Sequence, residues 1–210
     1  MKKLLLLTIS FIAINAQSQM TEEVAQVQKK WAKINYQTPE NKKEQAFENL
    51  AKLATQVVLN NPNNPHALVW EGIIYSTYAG AAGGVGALKI AKHAKNSYEQ
   101  AIKIDGTALS GSAYTSLGVL YYKMPGWPLS FGSDKKAMKY LKKGLELNPK
   151  GIDSNYFFAD FLYEEEGEYK LAQKHLIIAK NAEPRSTRPL ADKGRLKEIS
   201  ELILKVKKKI

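Results

Sequence analysis

The chain has 210 residues, of which 44% are hydrophobic and 24% are charged, and it carries a formal net charge of +11. This composition is typical of a globular protein, and the length suits one domain or one short helical array. There is no cysteine, which excludes disulfide bonds, thiol catalysis and thiolate metal sites.

Residues 1–18 predict a secretory signal peptide. Two lysines follow the first methionine, the segment 4–14 is almost entirely apolar, and Ala16 and Ser18 are small residues at the spacing of a cleavage site. An apolar segment of this length is too short to cross a bilayer. We therefore expect cleavage after one of these two residues and a location in the periplasm or outside the cell. Residues 19–210 are expected to form a single domain.

The region 21–62 predicts a first, irregular pair of helices. Thr21 is placed to cap the first helix ahead of two glutamates, and that helix is expected to end near Ile34. The second helix is expected over 44–60, before a turn that contains two prolines. Its buried face consists of Phe47, Leu50, Ala54 and Val57.

The segments 66–106, 112–149 and 154–184 follow one order of residue types. Each begins with a large residue, a small one and a tyrosine, and continues with small residues spaced between large ones up to a turn. In chain order these are Leu68, Gly72, Tyr75, Ala94, Tyr98 and Ala101; Tyr114, Gly118, Tyr121, Ala137, Leu141 and Gly144; and Tyr156, Ala159, Tyr163, Ala172, Leu176 and Ala179. The order resembles the tetratricopeptide (TPR) repeat, in which small residues let two antiparallel helices approach closely.

That resemblance implies an all-α fold, a TPR-type α-solenoid of antiparallel helix pairs. A helix over 189–208 is expected to cap the array, because apolar residues recur on one of its faces. These are Leu190, Leu196, Ile199, Leu202, Ile203 and Val206. The chain then ends in a lysine-rich segment. We interpret the lysines as solvated helix faces and expect no nucleic-acid partner and at most peripheral contact with a membrane.

Two of the repeats are longer than the pattern requires, and both insertions fall in the turn inside the repeat. The first, 79–86, is glycine-rich but lacks the lysine and the preceding strand of a phosphate-binding loop, so we expect a connector. The second, 121–134, carries Trp127, Leu129 and Phe131, which are too apolar to remain in water. They are expected either to plug the edge of the repeat or to form the wall of a ligand site.

The sequence contains no catalytic constellation that we can identify. His66, His93 and His175 lie far apart in the repeat register, and no spacing fits a metal site or a nucleophile with its base. We therefore predict a protein that is not an enzyme and that needs no metal and no cofactor.

The segment 127–134, Trp-Pro-Leu-Ser-Phe-Gly-Ser-Asp, leads into Lys136 and Ala137. It resembles a motif of periplasmic TPR proteins of the TRAP-transporter T-component type. The resemblance implies long connectors inside the repeats, an apolar cavity or pore, and a periplasmic solute-binding protein as partner. This sequence departs from the lipoprotein members of that family in having no cysteine.

The repeat register also predicts which residues face the concave surface. The candidate ligand-binding or partner-binding residues are Val69, Ile73, Tyr78, Thr115, Val119, Tyr122, Trp127, Phe131, Phe157 and Phe161. This lining is expected to be mostly apolar and aromatic, with almost no lysine or arginine. We expect a groove for a small hydrophobic ligand or an extended peptide, in a binding or adaptor protein associated with a transporter. The alternative is a protein–protein scaffold of the cell envelope with no small-molecule ligand.

Overall fold

The computed structural model describes residues 20–210, so the predicted signal segment 1–18 lies outside the described residues. The described residues form nine α-helices and no strand, and the predicted all-α class is confirmed. The helices are α1 (Glu22–Gln37), α2 (Glu40–Asn60), α3 (Pro65–Ala82), α4 (Gly86–Asp105), α5 (Ala108–Lys123), α6 (Asp134–Leu147), α7 (Ile152–Phe161), α8 (Tyr169–Lys180) and α9 (Pro189–Lys207). From residue 20 onward, none of them is long and apolar enough to cross a membrane.

Side-chain caps fix several helix starts where the sequence predicts them. The Thr21 hydroxyl accepts a hydrogen bond from the Val24 amide at 3.4 Å, so its predicted role as the cap of α1 is confirmed. Asn64 caps α3 in the same way, accepting from the His66 amide at 2.9 Å. Such caps satisfy amides that have no partner within the helix. The prediction placed the end of α1 near Ile34 and the start of α2 at residue 44, but α1 continues to Gln37 and α2 begins at Glu40.

Small residues lie where consecutive helices cross. A Cβ atom added at Gly72 would lie 2.6 Å from Cδ1 of Tyr98, and one added at Gly118 would lie 2.7 Å from Cγ of Leu141. Real Cβ contacts are longer than this, so only glycine allows α3 to approach α4 and α5 to approach α6 as closely as they do. The predicted pairing of a small residue with a large one is therefore confirmed at both crossings.

The odd-numbered helices form a closed inner ring. Contacts run from α1 to α3, from α3 to α5, from α5 to α7, from α7 to α9, and from α9 back to α1. The even-numbered helices form an outer layer, each packed against the two inner helices that flank it in the chain. Helix α9 is therefore more than an end cap, because it also closes the ring on α1, where Gly194 lies against the ring of Tyr36.

The face that α9 buries is partly polar. Ile199, Leu202 and Val206 are buried as predicted, but Leu196 is 38% exposed. Asp192 and Arg195 are buried in its place. Apolar periodicity could not indicate this, because buried charges are accepted only where partners lie close by, and these include Asp153 of α7 and Arg185 of the chain that precedes α9.

The first insertion is mostly helix rather than loop. Helix α3 continues to Ala82 and α4 begins at Gly86, so only residues 83–85 connect them. The prediction that 79–86 forms a connector is therefore wrong for most of its length. The physical reason is the high helix propensity of alanine, which occupies three positions between 79 and 82. Gly83 and Gly84 then reverse the chain with a φ of 61° each.

The second insertion is a compact loop over residues 124–133. Its backbone closes on itself, because the Gly132 amide donates to the Pro125 carbonyl at 2.9 Å and the Ser133 amide donates to the Tyr121 carbonyl at 2.9 Å. Phe131 packs edge-on against Tyr121, with ring centroids 5.7 Å apart. One face of this loop is thereby anchored to the end of α5.

The expectation that all three large apolar residues of this loop are buried is wrong. Trp127 is 89% exposed and Leu129 is 73% exposed. The reason is geometric: the internal hydrogen bonds hold the loop in a fold in which only Phe131 reaches a helix surface. Two large apolar side chains are left in solvent at the end of the α5–α6 pair.

Candidate functional site

The inner ring surrounds a cavity of about 1140 Å³. Its wall is built by α1, α3, α5, α7 and α9, by the chain that connects the helices, and by Ala87, Leu88 and Tyr98 of α4, whereas α2, α6 and α8 contribute no lining residue. Ligand pockets typically have volumes of about 300–1,000 Å³. The cavity is therefore large enough to hold a small organic molecule.

Two tryptophans form one aromatic wall of the cavity. Trp31 of α1 and Trp70 of α3 pack edge to face, with ring centroids 5.8 Å apart, and both line the cavity. The Trp31 Nε1 group donates to the Thr77 hydroxyl at 2.9 Å. That hydroxyl donates in turn to the Ile73 carbonyl at 2.8 Å, which fixes both side chains on the wall. The opposite wall carries Phe157 of α7.

Some of the candidate site residues lie on the cavity wall. These are Ile73 of α3, Thr115 and Val119 of α5, and Phe157 of α7. Within each helix the lining residues follow one another at helical spacing, and the odd-numbered helices present them to the same space. The structure thus brings together one or two candidate residues from each of three inner helices.

The other candidates from the helices do not line the cavity. Val69 and Phe161 are wholly buried in the core between the layers. Tyr122 is also buried, and its hydroxyl donates to Asp160 Oδ2 at 2.6 Å. Tyr78 is half-buried and packs against the apolar cluster formed mainly by α1, α2 and α3. Each of these residues is only one or two positions along the chain from a residue that lines the cavity. A shift of that size turns the side chain around the helix axis, and the repeat register alone does not resolve it.

Neither candidate from the second insertion reaches the cavity. Trp127 projects into solvent, and Phe131 packs on Tyr121 with the Lys95 ammonium 5.9 Å from its ring centroid. The prediction that these two residues fold inward over the concave face is therefore wrong. The same loop does contribute Met124 and Pro125, its first two residues, to the cavity wall.

The predicted lining with almost no arginine is also wrong. Arg185, Arg188 and Arg195 all line the cavity, the first two from the chain between α8 and α9 and the third from α9. They gather around Asp153, the second residue of α7. The expectation failed because it considered only the first helix of each repeat, whereas these side chains come from the element that closes the ring.

Two of the arginines are firmly paired. Arg185 Nη1 lies 2.5 Å from Asp153 Oδ2, and its Nε donates to Asp192 Oδ1 at 2.7 Å. Arg195 Nε donates to Asp153 Oδ1 at 2.9 Å, and its Nη1 contacts Glu198. Both guanidinium groups therefore have carboxylate partners on two sides, which is what burial of a charge requires.

Arg188 is different. Its Nη1 lies 3.7 Å from Asp153 Oδ2, which is beyond hydrogen-bonding distance. Its Nε is buried and has no hydrogen-bond partner among the described residues. The guanidinium instead lies over the ring of Trp70, with Cζ 5.1 Å from the ring centroid. Burial lowers the pKa of Arg188, and the attraction of Asp153 offsets only part of that effect.

Electrostatics hold Asp153 ionised. Burial alone would raise the pKa of its carboxyl group, but Arg195, Arg185 and Arg188 outweigh burial and hold that pKa below its usual range. The same carboxylate raises the pKa of Arg195 against the effect of burial. The cluster is thus a set of mutually stabilised charges at one end of α7 and the start of α9.

A sequence signal for this cluster exists. The chain has 31 lysines and arginines, and its only arginines are Arg185, Arg188 and Arg195. Arginine is preferred over lysine where a buried cation must bind carboxylates with a planar, forked group. A chain that otherwise uses lysine and places every arginine within eleven residues indicates a specific role for that segment.

Two of the histidines, His93 and His175, make structural contacts. His93 stacks on Tyr75, with ring centroids 3.9 Å apart, and its Nε2 lies 3.1 Å from Glu71 Oε1. His175 Nδ1 lies 2.9 Å from Asn155 Oδ1. Across residues 20–210 no group of three or more His, Cys, Asp or Glu side chains could hold a metal ion.

Comparison with protein-family models and with curated protein sequences gives no match for this chain. Its function therefore has to be inferred from the cavity and the groups that line it.

Proposed function

We propose that the protein binds a small organic ligand with a large apolar part in the cavity enclosed by its inner helices. The observation that carries this proposal is a cavity of about 1140 Å³ that the inner helices surround and that Trp31, Trp70 and Phe157 line. Its volume suits a small organic molecule, and the aromatic side chains on its wall offer an apolar ligand a large contact area.

The helix arrangement supports a TPR-type array as the scaffold. Consecutive helices pack in pairs, the first helix of each pair lies inside and the second lies outside. The glycines at Gly72 and Gly118 lie at the pair crossings, as the repeat pattern requires. We include in the proposal that the protein is related to the T-component type of periplasmic TPR protein and acts without catalysing a reaction.

Export to the periplasm is part of the same proposal, and it rests on the signal-like start of the sequence. N-terminal sequencing of the protein recovered from the cell envelope provides the test. We expect the mature chain to begin at Gln17 or Gln19. Recovery of soluble protein that retains Met1 would contradict export.

Ligand extraction tests the binding function directly. Protein purified from its native envelope without detergent is denatured in organic solvent, and the extract is analysed by mass spectrometry. We expect one organic compound, or one homologous series, in a ratio to protein close to one. The proposal is wrong if the extract contains no such compound and if the purified protein binds neither anilinonaphthalenesulfonate nor phenylnaphthylamine.

A pair of substitutions separates cavity binding from non-specific binding. Phe157→Ala removes an aromatic side chain from the cavity wall, so we expect weaker ligand retention. Leu59→Ala removes a side chain that is 67% exposed on α2, a helix that contributes nothing to the cavity. Equal retention in the two variants would show that the ligand binds elsewhere.

A second function, docking of another protein, is favoured by the exposed Trp127 and Leu129. Contiguous exposed apolar side chains of this size are typical of interaction sites. The partner that the T-component resemblance implies is a periplasmic solute-binding protein. A photoreactive amino acid at position 127 should cross-link to such a protein in intact envelopes. Retention of that cross-linked product after Leu129→Ser and Phe131→Ser are introduced would argue against docking through this loop.

A further inference from the structure

Arg188 is the one side chain of the arginine cluster whose charge is left without a close partner in the described part of the chain. Arg185 and Arg195 each bind two carboxylates, whereas Arg188 has only Asp153, at 3.7 Å. Its Nε is buried with no hydrogen-bond acceptor within range. A buried donor of this kind is energetically costly unless something else satisfies it.

Arg188 lies on the wall of the cavity. Its guanidinium lies over the ring of Trp70, another lining residue, with Cζ 5.1 Å from the ring centroid. The side chain is only 18% exposed. Since Arg188 is mostly shielded from solvent, an acceptor that reaches it from the cavity would make its hydrogen bond in surroundings that screen charge less than bulk water does.

Asp153 would repel an anion, but its charge is already compensated. Arg185 Nη1 lies 2.5 Å from one of its oxygens and Arg195 Nε lies 2.9 Å from the other. The remaining carboxylates of the cluster, Asp192 and Glu198, are bound by the same two arginines. The three arginines and the three carboxylates of the cluster balance in charge, and Arg188 is the cation among them with no carboxylate at hydrogen-bonding distance. Lys123 also lines the cavity but is paired with Asp160 at 3.1 Å, and Glu164 and Lys205 line it as well.

From this geometry we infer that the cavity selects organic monoanions: an apolar body lies against Trp31, Trp70 and Phe157, and a carboxylate or sulfonate group binds Arg188. The inference rests on the proposed ligand-binding function and specifies the chemical class of the ligand. A planar guanidinium matches a carboxylate in its forked geometry, which a lysine at the same place could not provide.

Two probes with the same aromatic skeleton test the inference. Anilinonaphthalenesulfonate carries a sulfonate, and phenylnaphthylamine is the same ring system without it. Both fluoresce when they bind an apolar site, and energy transfer from Trp31 and Trp70 in a Trp127→Phe background reports binding in the cavity. We expect the sulfonate to bind about tenfold more tightly or better, as a charge-assisted hydrogen bond in a buried site predicts.

Arg188→Met is the decisive variant, since methionine can still pack on Trp70 but carries no charge. We expect it to remove the advantage of the sulfonate probe, about tenfold, and to leave binding of the neutral probe unchanged. The matched control is Lys139→Met, which removes one positive charge from an exposed position on α6, a helix that does not line the cavity. This control is expected to change neither affinity.

The outcomes separate this inference from the proposed function. If both probes bind equally well, or if Arg188→Met and Lys139→Met behave alike, the cavity binds apolar ligands without selecting anions and the inference is wrong. If neither probe transfers energy from the cavity tryptophans, the ligand-binding function itself fails. Should Arg188→Met not fold, as judged by circular dichroism, Arg188→Lys takes its place. Lysine keeps the positive charge but not the forked guanidinium group. We then expect the affinity for the sulfonate probe to fall and the affinity for the neutral probe to stay unchanged.

Discussion

Glu71 shows how a single residue can depart from an apolar pattern without breaking it. It lies in the first repeat at a position occupied by leucine in the second, and it is 5% exposed. The Thr55 hydroxyl donates to its Oε1 at 2.9 Å, and the Ser97 hydroxyl donates to its Oε2 at 2.8 Å. Burial alone would raise the pKa of Glu71, but these hydrogen bonds and the contact with His93 outweigh burial and lower it.

We expect Glu71→Ala to lower the free energy of unfolding by about 2–3 kcal/mol, because the buried hydroxyl groups lose their acceptor. Chemical denaturation at neutral pH measures this. Glu44→Ala, at an exposed position on α2, serves as the control and should change stability by less than about 0.5 kcal/mol. Similar losses in the two variants would mean that the network around Glu71 contributes little.

Asp153 makes stability depend on pH in a defined direction. Because its pKa is held below the usual range in the folded protein, its stabilising contribution is complete above the pKa of an unfolded aspartate, near about 4. The contribution is lost as pH falls through the lower, folded-state value. We therefore expect the free energy of unfolding to decline below about pH 4.

Asp153→Asn tests this. At neutral pH the variant should be less stable by about 3 kcal/mol, because Arg185 and Arg195 lose a shared carboxylate. Between about pH 4 and pH 2 the free energy of unfolding of the variant should decline less steeply than that of the unchanged protein. Urea titrations across that pH range provide the measurement. Parallel pH profiles in both proteins would show that Asp153 does not carry the acid sensitivity.

Among the elements, the α5–α6 pair depends most clearly on one glycine. A Cβ atom at Gly118 would lie 2.7 Å from Leu141 Cγ and 3.0 Å from the Leu141 backbone nitrogen. The backbone atom cannot move aside without shifting α6. The helices can therefore tolerate no side chain at this crossing without separating.

We expect Gly118→Leu to lower the free energy of unfolding by about 1–3 kcal/mol or more through overpacking. The control is Lys139→Leu on α6, where the side chain is exposed and the change should be nearly silent. Thermal unfolding followed by circular dichroism compares the two. Equal melting temperatures would show that the register of the second helix pair is wrong.

The α5 helix begins with an unusual turn. Leu109, Ser110 and Gly111 adopt positive φ angles of 50°, 55° and 76° before the regular helix starts. Such angles are unfavourable for residues other than glycine by about 1–2 kcal/mol each. Leu109 and Ser110 both line the cavity, so this costly backbone conformation occurs at the candidate site, as is common for functional segments.

At the scale of the whole molecule, the ring closes at the contact between α1 and α9. A Cβ atom at Gly194 would lie 2.5 Å from Cζ of Tyr36, so only glycine permits this contact. Arg188, which precedes α9, reaches across to Trp70 of α3. The cavity and the arginine cluster therefore both depend on the position of α9.

We expect Gly194→Leu to push α9 away from α1 and to open the cavity to water. In a Trp127→Phe background the emission of Trp31 and Trp70 should shift to longer wavelength, and the protein should lose about 1–3 kcal/mol of stability. Lys197→Leu, at an exposed position on the same helix, is the control. An unchanged emission spectrum in Gly194→Leu would indicate that α9 is not needed to enclose the two tryptophans.

Helices and their pair crossings could be predicted from the sequence because the signals are local. Apolar and small residues recur every three or four positions, and residues such as Thr21 mark helix starts. The same register placed Ile73, Thr115, Val119 and Phe157 on the concave side of their helices. It could not separate these from Tyr122 or Phe161, since a rotation of one or two positions moves a side chain from the wall into the core.

Closure of the ring was decided only by the tertiary structure. Whether α9 meets α1 depends on the rotations between successive helix pairs added over the whole array, and no local pattern contains that sum. The arginine cluster follows from this closure, because Arg185, Arg188 and Arg195 meet Asp153 only when α9 packs against α7. The sequence by itself determined which residues form helices and which faces they bury. Long-range packing determined that the inner helices surround a cavity and that the three arginines line it.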